Sequence, residues 1–204
     1  RRIISYHNFD ETPQNIEQIH ERMKDLDPDI IKLVTMANAP GDVARVLQLV
    51  QKSNVPTAGF CMGEIGMPSR VLCGKFGSPL TYATFSSDRE LAPGQLSFEV
   101  MRKIYDYDAI NADTQVYAVL GDPIAHSLSP LVHNRAFKAA GVNAVYVPWR
   151  IPQGSLTQSL NDLDPLGIRG FSITIPHKEA AAEFAQHCSD DVRAIRAANT
   201  LIRD

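Results

Sequence analysis

The stretch DIIKLVTMA, residues 29–37, is an apolar, β-branched run with a charge at its centre. Ile30, Ile31, Leu33 and Val34 have the composition of a strand buried in a parallel sheet, yet Lys32 stands among them. Taking an ammonium group out of water is costly unless something compensates it. Two readings account for the lysine. Its stem lies along apolar surface and carries the amine to solvent, or its apolar surroundings leave the amine partly neutral, a nucleophile able to attack a ketone.

The flanking sequence alternates between two periods. RIISYHNF (2–9) reads as a strand, and NIEQIHERMKDL (15–26) places Ile16, Ile19, Met23 and Leu26 at helical spacing. After DIIKLVTMA comes DVARVLQLVQKS (42–53), a helix with Asp42 as its expected N-cap. The strand PTAGFCMG, a helix from near MPSRVL, the strand LTYATF and a long helix from Gly94 to about Tyr107 complete the series. Four β-α units with short connections predict a parallel sheet with helices on its outer surface. Residues at the C-terminal ends of such strands converge on one face, where these folds keep their chemistry.

Around NADTQ (111–115) the apolar pattern lapses and restarts with VYAVLGD (116–122), which marks a linker. A helix is expected from Ser129 to Ala140, with Pro130 in its first turn and Gly141 past its end. The strand NAVYVPWR, a helix near SLTQSLNDL, the strand GIRGFSITIP and the segments KEAAAEFA, SDDVRAIRAAN and TLIRD follow. This second part, 113–204, is again α/β.

Bulk properties exclude several classes. The 204 residues are 44% hydrophobic and 21% charged with a formal net charge of -3, which gives no electrostatic reason for a nucleic-acid or anionic-membrane partner. The longest apolar runs fall far short of the ~20 residues that span a bilayer. RRIISYHNFD has neither a long apolar core nor a small-residue cleavage site, and it reads as a strand rather than a leader. Cys61, Cys73 and Cys188 fit neither a disulfide framework nor a zinc spacing, so a reducing, cytoplasmic setting without a metal is expected.

Four residues of the first part invite chemistry. Lys32 is a candidate imine former. His7, near the end of the preceding strand, would face the same mouth, and an imidazole titrating near neutrality suits proton shuttling. Arg70 ends the turn-rich MGEIGMPSR and either clamps a carboxylate or points to solvent. APGQ (92–95) is a Pro-Gly turn that presents Gln95. In the second part Ser129 reads as a helix N-cap and Ser127 as part of the turn before it. Thr174 and Lys178 flank a strand-to-helix turn, and Asn199 sits at a turn or cap.

ISYHNF, DIIKLVTMA, MGEIGMPSR, FGSPLTYATF and LAPGQ, in this order and spacing, resemble the C-terminal half of type I 3-dehydroquinate dehydratases over residues 1–112. The resemblance implies half of a (β/α)8 barrel and imine-assisted dehydration of 3-dehydroquinate to 3-dehydroshikimate, with no cofactor. It implies that Lys32 forms the imine, that His7 assists its formation and hydrolysis and moves the proton, and that Arg70 and Gln95 hold the carboxylate and hydroxyls. Leu91 departs from the small hydroxyl residue common at that place in the family.

VLGDPIAHSLSPLVHN, GFSITIPHK and AANTL resemble the N-terminal substrate-binding domain of shikimate dehydrogenases. That resemblance implies Ser127 and Ser129 on the carboxylate of shikimate, Thr174 and Asn199 on ring hydroxyls, and Lys178 as the catalytic lysine. It also implies NADP(H), held by a nucleotide-binding domain that would lie beyond this sequence, as would the family's catalytic aspartate, with which Asp204 is not equated. The order of the two parts is similar to that of bifunctional shikimate-pathway enzymes, of which this chain is expected to be an internal stretch. An open half-barrel is expected to expose apolar edges and to pair with another copy or with further sequence. Two other readings remain open: a non-catalytic shikimate-binding module, and another class I Schiff-base lyase.

Overall fold

The computed structural model describes residues 2–85 and 92–203, and they form two compact units, Arg1–Thr114 and Gln115–Asp204.

In the first unit, β1 (Ile3–Asn8), β2 (Ile30–Met36) and β3 (Thr57–Met62) make a parallel sheet in that order. Helices α1 (Ile16–Lys24), α2 (Pro40–Lys52) and α3 (Gly63–Leu72) alternate with them, and α4 (Phe98–Lys103) follows. The two faces separate by residue parity, as the pleat requires. Ile31 and Leu33 are fully buried against Ile16, Ile19 and Met23 of α1, with Ile4 and Tyr6 packed on the same cluster. Each such side chain contributes about 1.5–3 kcal/mol when removed from water. Val34, Phe60 and Met62 lie on the opposite face, joined by Met36 and Ala92.

Four expectations for this unit need correction. The helix expected over 42–53 starts at Pro40, and Asp42 is not its N-cap: from the first turn its carboxylate accepts the N–H groups of Asn38 (2.9 Å) and Ala39 (3.0 Å). The loop expected before Arg70 is helical, because Gly66 lets α3 lie directly on the strand. A Cβ at Gly66 would come within 2.8 Å of the Cys61 backbone, and Ser69 Oγ accepts the Cys61 N–H at 2.7 Å. LTYATF contributes no fourth strand to the sheet among the described residues. Thr84 pairs instead with the chain just beyond it, donating to the Leu96 carbonyl (2.9 Å) and accepting from Phe98 N–H (2.8 Å). The long helix expected from Gly94 shrinks to α4, capped by Ser97 Oγ on the Val100 N–H at 3.2 Å. Residues 92–95 are occupied by a turn, and a left-handed Asp106 (φ 49°) closes the far end.

In the second unit, β4 (Gln115–Gly121), β5 (Ala144–Arg150), β6 (Gly170–Ile173) and β7 (Thr200–Ile202) form a sheet of order β5-β4-β6-β7. All neighbours are parallel except β6 and β7. Helices α5 (Ser129–Ala140), α6 (Leu156–Leu163), α7 (Lys178–Phe184) and α8 (Asp190–Ile195) complete it. Pro148 is tolerated because β5 pairs on one side only. On the other side Asn134 of α5 stands in for a strand: its amide donates to the Tyr146 carbonyl and accepts the Tyr146 N–H, both at 2.8 Å. Ser129 is the first residue of α5 rather than its cap. Ser127 supplies the capping oxygen, accepting the Ser129 N–H at 3.3 Å, and Leu128 occupies the cap position.

Candidate active site

Parallel pairing of β1 and β2 sets Lys32 level with Ser5, and His7 level with Val34. Lys32 and Val34 share the face opposite α1, so His7 lies on that face one pleat beyond Lys32. The two feel each other: burial lowers the His7 pKa from its ordinary value, and the positive charge of Lys32 lowers it further. At neutral pH the imidazole is therefore a neutral base. Lys32 lies mid-strand, third of the seven residues of β2, rather than at the strand's end.

Arg70 reaches the same face from α3. Its side chain is buried, 1% exposed, with the guanidinium 4.9 Å from the centre of the Phe60 ring. Phe60 packs against Tyr82 at 5.8 Å, and Tyr82 lies 4.1 Å from the Lys32 nitrogen. Two cations are thus linked through two rings. Neither Phe60 nor Tyr82 stands out as a site residue in the sequence, since both sit in runs that read as strand. The aromatic at Tyr82 within LTYATF was the available signal.

Gln95 closes a type II turn, in which Pro93 precedes Gly94 at φ 75° and the Gln95 N–H donates to the Ala92 carbonyl at 3.1 Å. The Gly63 N–H donates to the Pro93 carbonyl at 3.0 Å, which fastens the turn to the end of β3. Gly94 is obligatory there, because a Cβ would collide with the Gly63 carbonyl oxygen. Leu91 lies outside the described residues.

The second unit has a cavity of about 530 Å3 at the C-terminal ends of β4 and β6, where open α/β sheets bind ligands. Ser127, Ser129, Thr174 and Asn199 all line it. The backbone fixes them: Thr174 N–H donates to the Leu120 carbonyl (2.9 Å), and the Asn199 carbonyl accepts the Ile173 N–H (2.7 Å). His126, Ser172 and Thr200 line it too. Ser172 was legible, because it precedes Thr174 by one strand period. Burial raises the Tyr146 pKa, and the nearby Ser172 opposes the shift. Lys178 is not among the lining residues. It begins α7, exposed, and its carbonyl accepts the Ala198 N–H at 2.8 Å.

Fold and site define an α/β chain with a lysine–histidine pair on one parallel sheet and a hydroxyl-rich cleft on another. Residues 1–112 match the type I 3-dehydroquinase family, and residues 119–201 match the shikimate dehydrogenase substrate binding domain. The chain belongs to the type I 3-dehydroquinase family, joined to that second domain as in the bifunctional enzymes of the shikimate pathway. It is 39% identical over 203 residues to the chloroplastic bifunctional 3-dehydroquinate dehydratase/shikimate dehydrogenase of Arabidopsis thaliana, covering 98% of this chain and 33% of that protein. It is 27% identical to the shikimate biosynthesis protein AroDE of Chlamydia pneumoniae, again over 98% of this chain and 41% of that protein. A shikimate dehydrogenase (NADP(+)) of Thermococcus kodakarensis is 42% identical over 92 residues, 45% of this chain and 34% of its own. The chain thus spans between a third and a half of the length of these relatives. No helix among the described residues is long and apolar enough to cross a membrane.

Proposed function

We propose that the first unit dehydrates 3-dehydroquinate through an imine on Lys32, and that the second unit's cleft binds shikimate and 3-dehydroshikimate for NADPH-dependent reduction. The observation that carries the first part is the placement of Lys32 and His7 on one sheet face, with the His7 pKa lowered by burial and then by the charge of Lys32. The lysine nitrogen forms a bond to the ketone carbon, and the carbonyl oxygen leaves as water, giving a protonated imine. That cation acidifies the neighbouring C–H, His7 takes the proton and passes it to the hydroxyl on the next carbon, and that hydroxyl departs as a second water while the C=C bond forms. Hydrolysis of the imine then releases the conjugated ketone. Arg70 and Gln95 hold the carboxylate and hydroxyls.

In the cleft, Ser127 and Ser129 face the carboxylate and Thr174 and Asn199 face ring hydroxyls; Lys178, exposed at the start of α7 and outside the cavity lining, serves the carbonyl being reduced by turning its amine toward the cleft. NADP(H) supplies the hydride when bound. Among the described residues no strand leads through a glycine-rich turn into a helix that would cradle its pyrophosphate, so no hydride step is assigned to them. The test is accumulation of the enone absorbance of 3-dehydroshikimate from 3-dehydroquinate. Lys32→Ala is expected to abolish it, and activity surviving in Lys32→Ala would sink the imine reading.

A further inference from the structure

The face of Tyr82 lies against the nitrogen that would become the imine, 4.1 Å from ring centre to Nζ. The ring is held from two sides. Thr81 Oγ1 donates to the Arg70 carbonyl at 2.9 Å, anchoring the chain beside Tyr82. The ring itself packs on Phe60, at 5.8 Å and tilted by 47°, and Phe60 is 2% exposed. Tyr82 itself is 38% exposed, with its ring packed on the buried Phe60 and its face toward Lys32. We propose that Tyr82 is a positioning residue of the imine site, whose ring face seats the Lys32 nitrogen and carries its positive charge in the protonated imine.

The proposal rests on the Schiff-base reading. The electron pair of the neutral amine forms the C–N bond to the ketone carbon. The oxygen departs as water with one proton from the nitrogen and one from an acid, so the nitrogen keeps one hydrogen and a full positive charge. An aromatic face attracts such a cation through its negative quadrupole, and the phenolic hydroxyl is not needed for this. The ring also limits the rotamers of a four-carbon stem that would otherwise lose that freedom on binding substrate.

The experiment compares the wild-type chain with Tyr82→Leu, Tyr82→Phe and Tyr82→Trp in two measurements. One is the rate at which borohydride traps 3-dehydroquinate on Lys32, read by peptide mass; the other is the NMR shift of the Lys32 ε-methylene. Tyr82→Leu is expected to slow trapping about three- to thirtyfold, with Tyr82→Phe and Tyr82→Trp restoring most of that loss. The ε-methylene is expected to be ring-shielded in every variant except Tyr82→Leu. Trapping in Tyr82→Leu at the wild-type rate, or a loss in Tyr82→Phe as deep as in Tyr82→Leu, overturns the proposal. A wild-type chain that forms no adduct overturns the Schiff-base reading instead, and the ε-methylene shift then decides alone whether the ring seats the amine. Unshielded wild-type protons overturn that seat too.

Discussion

His7 and Lys32 occupy neighbouring parallel strands one pleat out of line, so the imidazole stands just beyond the ammonium on the same face of the sheet. The charge of one is legible in the basicity of the other: after burial, Lys32 is the second cause that lowers the His7 pKa.

Replacing Lys32 by Met removes that charge but leaves the burial. The His7 pKa is expected to rise on an NMR titration and to stay below its ordinary 6.5. A fall, or no change, would mean that the two groups do not interact. In the wild-type chain the neutral base persists to a pH below 6.5, so the acidic limb of the dehydration rate should lie below that value as well.

His20 gives a stability prediction with a definite sign. Its ring is 3% exposed, Nε2 lies 3.0 Å from Thr57 Oγ1, and burial first, then Lys24, lowers its pKa while Glu21 opposes. Between the lowered folded value and about 6.5 the unfolded chain binds more protons than the folded one. Stability of the first unit is therefore full above pH 6.5 and falls as the pH drops through the folded value. Urea midpoints at pH 8 and pH 5 should show it, and His20→Gln should flatten the difference.

Asn134→Leu leaves the N–H and C=O of Tyr146 buried without their partners. A loss of about 2–4 kcal/mol is expected in the second unit, read as a lower denaturation midpoint. A loss under ~0.5 kcal/mol would mean that water replaces the side chain.

Gly94→Ala strains a left-handed residue and drives a Cβ into the Gly63 carbonyl oxygen. The expected cost is about 1–3 kcal/mol. Because Gln95 follows in the same turn, KM for 3-dehydroquinate should rise more than kcat falls.

In the cleft, Ser127→Ala should weaken shikimate binding about tenfold, the worth of one hydrogen bond to a charged group. Lys178→Met should weaken it less, since Lys178 does not line the cavity. Calorimetry on the two variants ranks them, and the reverse order would show that Lys178 holds the bound ligand more firmly than Ser127 does.

The parity of DIIKLVTMA and the helical spacing of Ile16, Ile19 and Met23 were enough to place β2, α1 and the parallel sheet. Ser127, Ser129, Thr174 and Asn199 read singly as caps and turns, and only the resemblance to shikimate dehydrogenases grouped them; the structure places all four on the lining of one cavity. What escaped depends on contacts far along the chain. Thr84 pairs with Leu96 and Phe98 instead of joining the sheet, which no local period reveals. Gly66 reads as a turn former but serves close packing of α3 on Cys61. Tyr82 acquires its place through Phe60 and Lys32, residues 22 and 50 positions away in sequence.

Incubating the chain with 3-dehydroquinate and borohydride, followed by intact-mass measurement and peptide mapping, shows whether Lys32 is an imine-forming lysine. A ligand-sized increment confined to the peptide carrying Lys32 is the result expected. An unmodified chain, or an adduct spread over surface lysines, would contradict it.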